Sequence, residues 1–136
     1  MRNRSAGISP DLAAVFSACL LAAPVWGHHS FAAEFDINRP VHLEGAIVDV
    51  EWVNPHVEIH IDARGSDGNV VRWTVEAGSP SMLLMRGVTK ISVPEGALVA
   101  VDGYRAKNEA LRATGVDLVL PDGQKLLLDA RKASGR

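Results

Sequence analysis

The sequence predicts an all-β fold: a small Greek-key barrel of five to six strands with one short helix after the third strand. Three observations predict it. Apolar and polar residues alternate over His56 to Ala63 and again over Val70 to Ala77, the period of a half-buried strand. The cluster Arg64-Gly65-Ser66-Asp67-Gly68-Asn69 between them is a turn, which makes the two runs a hairpin. Upstream, Val41 to Val53 also alternates but changes parity partway, as a long bent strand must.

The chain opens on a leader. Arg2 and Arg4 precede a 12-residue apolar run, Leu12 to Ala23, the length of a secretory signal core. A membrane-spanning helix needs about 20 apolar residues, so no membrane span is expected in the mature form. Val25 and Gly27 place the cut before His28, giving a signal peptide over 1–27 and a periplasmic location. Two other cuts stay open: one after Ala23, disfavoured by Pro24, and a lipoprotein cut before Cys19. Cleavage before His28 leaves 109 residues, enough for one domain with its own core, here 28–130, and a frayed tail over 131–136. Arg2, Arg4 and Asp11 leave with the leader, so the mature chain has 12 basic and 15 acidic residues. No basic patch stands out, which argues against nucleic acid as a partner. The one cysteine, Cys19, is in the leader, so the mature chain has no disulfide and no thiolate nucleophile.

In the first strand, Val41 and Leu43 mark one parity, and Val48, Val50 and Trp52 the other. Gly45 and Ala46 lie between, and glycine permits the bend. In the hairpin, Val57, Ile59, Ile61, Val71, Trp73 and Val75 point inward. Ser79 suits a helix N-cap, Pro80 the first helical position and Gly87 the position after the end. Met82 to Met85 then cover an apolar opening. A fourth strand runs from Ala97 to Tyr104 with Val99 and Val101 inward, a fifth from about Thr114 to Leu120, and a last apolar piece from Lys125 to Asp129. A bent first strand, a hairpin, a short helix and two more strands is the order of an OB-like barrel. An Ig-like sandwich would need about seven strands.

Four blocks then stand out: His28-His29-Ser30-Phe31-Ala32-Ala33-Glu34-Phe35-Asp36, Val50-Glu51-Trp52-Val53-Asn54-Pro55-His56, Trp73-Thr74-Val75-Glu76-Ala77-Gly78-Ser79-Pro80, and Gly103-Tyr104. Over His28 to about Leu128 the chain resembles an uncharacterised family of exported bacterial proteins, a domain of unknown function with these same blocks. The resemblance implies a periplasmic OB-like domain and brings no established activity. This sequence departs from the pattern at His60, where an aromatic or aliphatic residue is usual. It departs again at Asn108-Glu109, where an Asp-Gly turn is usual.

The candidate chemistry rests on histidines. His28, if N-terminal, offers an amino group and a ring nitrogen that chelate copper(II) or zinc together, with His29 beside it. His56, Glu58 and His60 are spaced i, i+2, i+4, so they share one strand face. That spacing is also the plain pattern of a solvated strand, and two N-terminal histidines can be no more than a polar terminus. OB-like barrels bind ligands on the face of strands two and three and in the mouth loops. Asn54, His56, Glu58, Arg72, Thr74, Glu76 and Tyr104 form that expected ligand face, with Arg105 and Lys107 in the second mouth loop. Pro55 stiffening a turn that Asn54 caps is the structural alternative, and Trp52 and Trp73 read as core aromatics. No phosphate loop, Gly-x-Ser-x-Gly elbow or His-Glu-x-x-His helix is present. Three readings follow: a non-catalytic periplasmic binding module for a small ligand or protein, a copper- or zinc-binding protein, and, weakest, a metal-dependent hydrolase.

Overall fold

The computed structural model of the chain describes residues 31–129; the expected leader and tail, with His28 and His29, lie outside them. Along the chain come a helical turn α1 (Phe31–Glu34), β1 (Phe35–Glu51), β2 (Glu58–Arg64), β3 (Val70–Glu76) and α2 (Pro80–Met85). A 3-10 turn (Lys90–Ser92), β4 (Leu98–Ala106), β5 (Arg112–Val119) and β6 (Lys125–Leu127) follow. The sheet order is β3-β2-β1-β4-β5-β6, and β3 pairs again with β5. That last, parallel pairing closes β1, β2, β3, β5 and β4 into a ring and leaves β6 on its edge. The chain is the small all-β barrel its sequence predicts, a closed ring of five strands with a sixth at its edge and two short helices.

β1 is 17 residues long and starts well before Val41. Its parity changes at a different place from the one expected. Leu43 and Ile47 are buried, then Val50, and the pairing with β2 slips between Ile47 and Asp49. The bulge is therefore at Val48, not at Gly45 and Ala46, and it leaves Val48 half-buried. Gly45 has another task. A Cβ there would stand 2.1 Å from the Asp62 carbonyl oxygen, so glycine is what lets β1 and β2 approach.

The hairpin pairs in one register from Arg64 opposite Val70 to Glu58 opposite Glu76. Of the eight residues expected inside, Val57, Ile59, Ile61, Trp73, Val75, Val99 and Val101 are buried. Val71 is half-buried because its pair, Ala63, lies at the open turn end of the hairpin. Ser79 caps α2 by accepting the Met82 N–H, and Gly87 follows with φ +75. Only Leu83 of this helix is buried, and Met85 is 81% exposed. A six-residue helix makes under two turns, so a single side chain plugs the barrel and Met82, Leu84 and Met85 do not. β5 begins at Arg112, two residues before the expected Thr114, which places Arg112 beside Thr74 of β3.

Candidate binding site on the outer barrel face

Alternation in β2 and β3 turns Ile59, Ile61, Trp73 and Val75 inward and leaves Glu58, His60, Asp62, Arg72, Thr74 and Glu76 on the outside. The register then pairs Asp62 with Arg72, His60 with Thr74, and Glu58 with Glu76. The first pair is complementary. Arg72 Nε and Nη2 donate to the two Asp62 carboxylate oxygens at 2.8 and 3.0 Å. That hydrogen bond lowers the Asp62 carboxyl below its ordinary range and raises the Arg72 guanidinium. In the second, Thr74 Oγ1 meets His60 Nδ1 at 3.2 Å, while His60 Nε2 lies 3.0 Å from Glu51 Oε1.

The third pair sets like charges directly opposite each other, which is destabilising by itself. Arg112 resolves it. Its Nη2 donates to Glu58 Oε1 at 3.0 Å and also to Glu76 Oε2. Burial pulls the Arg112 guanidinium down, but the Glu76 hydrogen bond and the charges of Glu76 and Glu58 leave it above its ordinary value. The other Glu76 oxygen, Oε1, lies 2.9 Å from His56 Nδ1. Glu76 is thus held from two sides and is only 4% exposed, although it faces away from the core. His56 Nε2 makes no hydrogen bond among the described residues.

The structure joins three of the seven expected ligand-face residues, His56, Glu58 and Glu76, through Arg112. Arg72 and Thr74 lie beside them, engaged with Asp62 and His60. Asn54 is exposed in the loop before His56. Tyr104 is in the same outer row, beyond Thr114, and its ring packs edge-on to Phe31 with centroids 6.2 Å apart. Trp73 is a core aromatic, with the Arg105 guanidinium 5.3 Å from its ring centre.

The expected metal ligands are differently disposed. His28 and His29 lie outside the described residues. His56, Glu58 and His60 turn to three separate partners, Glu76, Arg112 and Glu51, so they do not converge. Among the described residues, the potential ligand atoms that lie within 4.8 Å of one another are on Asp49, Glu51 and His60. Asp49 and Glu51 were not among the expected ligands, and neither was Arg112 expected in the site. The hairpin register carried a signal for Arg112, since Glu58 opposite Glu76 requires a cation from elsewhere.

A cleft of about 410 Å³ opens beside this cluster, lined by α1, Phe35, the end of β4 and Arg112. The chain matches the model of a family of unknown function, DUF6152, over residues 16–116. The chain belongs to that family. No curated protein and no solved structure shows a match. Family membership therefore supplies a grouping, and any account of DUF6152 chemistry in this chain starts from the side chains themselves.

Proposed function

We propose that this chain is an exported, non-catalytic binding module, which meets a small ligand or a periplasmic protein on the outer face of β2, β3 and the start of β5. One observation carries the reading: a Glu76 carboxylate buried on the outside of the barrel and fixed by His56 and Arg112. Burying a charge away from the core adds nothing to core packing, and it costs free energy unless it is paired. What the arrangement supplies is orientation. Glu76 holds the His56 ring by one nitrogen and leaves the other, on a side chain 41% exposed, available as donor or acceptor. The non-catalytic part of the reading rests on how nearby hydroxyls are engaged. Ser79 Oγ caps α2, and Ser81 Oγ lies 3.1 Å from it. Export rests on the leader.

Site-specific photo-crosslinking in intact cells tests this reading. A crosslinker at Thr74 or Asn54 should give one common adduct, absent with a crosslinker at Leu127 on the edge strand and lost with Glu76→Ala. Adducts that are equal at Leu127, or absent from both face positions, would sink it.

A second reading, a copper- or zinc-binding protein, is favoured by the same ring. Histidines that ligate metals commonly hold a carboxylate on the other ring nitrogen, as His56 holds Glu76. Further ligands would come from His28 and His29.

A further inference from the structure

The cleft beside Arg112 gathers polar groups whose bonding capacity is largely unspent. Its floor is apolar, formed by Phe35 and Ala106, both buried. Around it stand Glu34, Lys107, Asn108 and Arg112. Arg112 gives only Nη2 to Glu58 and Glu76, which leaves Nη1 uncommitted to either carboxylate, and its buried Nε has no hydrogen-bond partner among the described residues. Lys107 Nζ donates to the Ala32 carbonyl and keeps two more protons. The Asn108 side-chain amide and the Glu34 carboxylate stand in the same lining, with no side-chain hydrogen bond of either among the described residues. Glu34 acts on Arg112 through its charge alone.

The walls are held in place. Lys107 N–H donates to the Glu34 carbonyl at 2.8 Å, and Arg39 pairs with Glu109 at 3.3 Å. Thr74 N–H donates to the Leu111 carbonyl at 3.0 Å, which ties the far end of the same loop to β3. These contacts fix the β4–β5 connection against both the N-terminal segment and the barrel, so the polar groups are positioned before any ligand arrives.

Charge decides the ligand class. In the lining Glu34 opposes Lys107 and Arg112, and Arg112 is already shared with Glu58 and Glu76, so a simple anion would meet the Glu34 carboxylate with little positive charge left to offset it. A simple cation would meet Glu34 but would lie against Lys107 and Arg112. A small zwitterion satisfies both signs. We infer that this cleft binds the zwitterionic backbone of a free α-amino acid, with its carboxylate on Arg112 Nη1, Lys107 and Asn108 and its ammonium on Glu34. The inference rests on the binding-module reading and adds a ligand class to one end of its face. A cleft of about 410 Å³ lies within the size range of small-molecule sites.

A matched trio of probes tests it by amide NMR on the protein isolated from cells: L-alanine, propionate and ethylamine. L-alanine should give saturable shifts at Lys107, Asn108 and Arg112. Propionate and ethylamine, each carrying half of its charge pattern, should bind at least about tenfold more weakly, the loss of one charge-assisted hydrogen bond. Glu34→Gln should bring L-alanine down to the level of propionate. Asn108→Asp, on an exposed loop away from the Glu58–Arg112–Glu76 cluster, should abolish binding with the fold intact. Propionate binding as tightly as L-alanine would overturn the proposal in favour of a plain anion site, and no saturable shift with any probe would overturn it outright. A common crosslinked adduct at Thr74 alongside no L-alanine binding would fell the cleft ligand alone. L-alanine binding without that adduct would fell the wider face alone.

Discussion

Glu58 and Glu76 face each other across the hairpin, and Arg112 reaches them from 36 residues beyond Glu76 in the chain. Removing Arg112 leaves a nearly buried carboxylate without its cation. Arg112→Met should therefore cost about 3 kcal/mol, the low end for a broken buried pair because Arg112 is itself 38% exposed. A double variant, Arg112→Met with Glu76→Leu, should recover most of that loss, since apolar replacement of both partners is often neutral. Urea denaturation of the two variants reads the difference, and equal losses in both would mean that Arg112 works by packing alone. The cluster was half legible in the sequence: the turn fixes Glu58 opposite Glu76, but a parallel pairing between β3 and β5 leaves no local trace. His42 offers a separate test. Its Nδ1 lies 2.7 Å from Asp102 Oδ1, and that hydrogen bond, with one to Glu44, raises its pKa above 6.5. A raised folded-state pKa means that the stabilisation is complete below pH 6.5 and fades as pH rises through the higher folded value. The side chain is 55% exposed, so the effect should stay below about 1 kcal/mol. Unfolding free energies of the protein and His42→Gln, taken from pH 5.5 to 8.5, should converge towards high pH; a gap that widens instead would reverse the assignment.

The strands were readable where one face is apolar and the other polar. β2 and β3 satisfy that condition, and their inward residues were legible except near the turn, where Val71 is half-buried. Ile59 is 1% exposed, so Ile59→Ala should cost about 2–5 kcal/mol by equilibrium denaturation. A loss under roughly 0.5 kcal/mol, the usual effect at a surface site, would contradict that burial. β1 was less readable because two features lie close together on it. The glycine at position 45 draws the eye as the bend, yet the register slips at Val48. A valine bulge has no compositional mark, whereas a glycine required for close approach looks the same as a glycine required for a bend. The two roles separate by experiment. Gly45→Ala drives a Cβ into the Asp62 backbone and should prevent β1 and β2 from pairing, seen as loss of the cooperative unfolding transition. Gly123→Ala, with nothing within 4 Å of the added Cβ but φ at +85, should fold and lose only about 1 kcal/mol.

At the scale of the whole molecule, the expected leader matters through the cut proposed before His28. Cleavage after Gly27 would free an amino group on a histidine three residues before the described structure begins at Phe31. From there the chain is held: Phe31 stacks on Phe35 at 5.8 Å and packs against Tyr104, so α1 is anchored to the barrel. Copper(II) favours nitrogen-rich sites, and a chain cut before His28 would carry no thiolate to compete, so the expected result for it is a copper complex through the His28 amine and ring with His29. Intact-mass measurement of the secreted protein comes first and should show a chain starting at His28; a lipid-modified Cys19 would end the argument there. Inserting Gly-Ser before His28 then keeps every imidazole and moves the amine out of the chelate. Copper affinity should fall and the visible absorption should shift to longer wavelength, as nitrogen donors give way to water. The same measurement on His56→Ala separates the two ends of the molecule. A loss with both variants means that His56 shares the ion, a loss with the insertion alone confines copper to the terminus, and an unchanged spectrum in the insertion variant refutes the chelate.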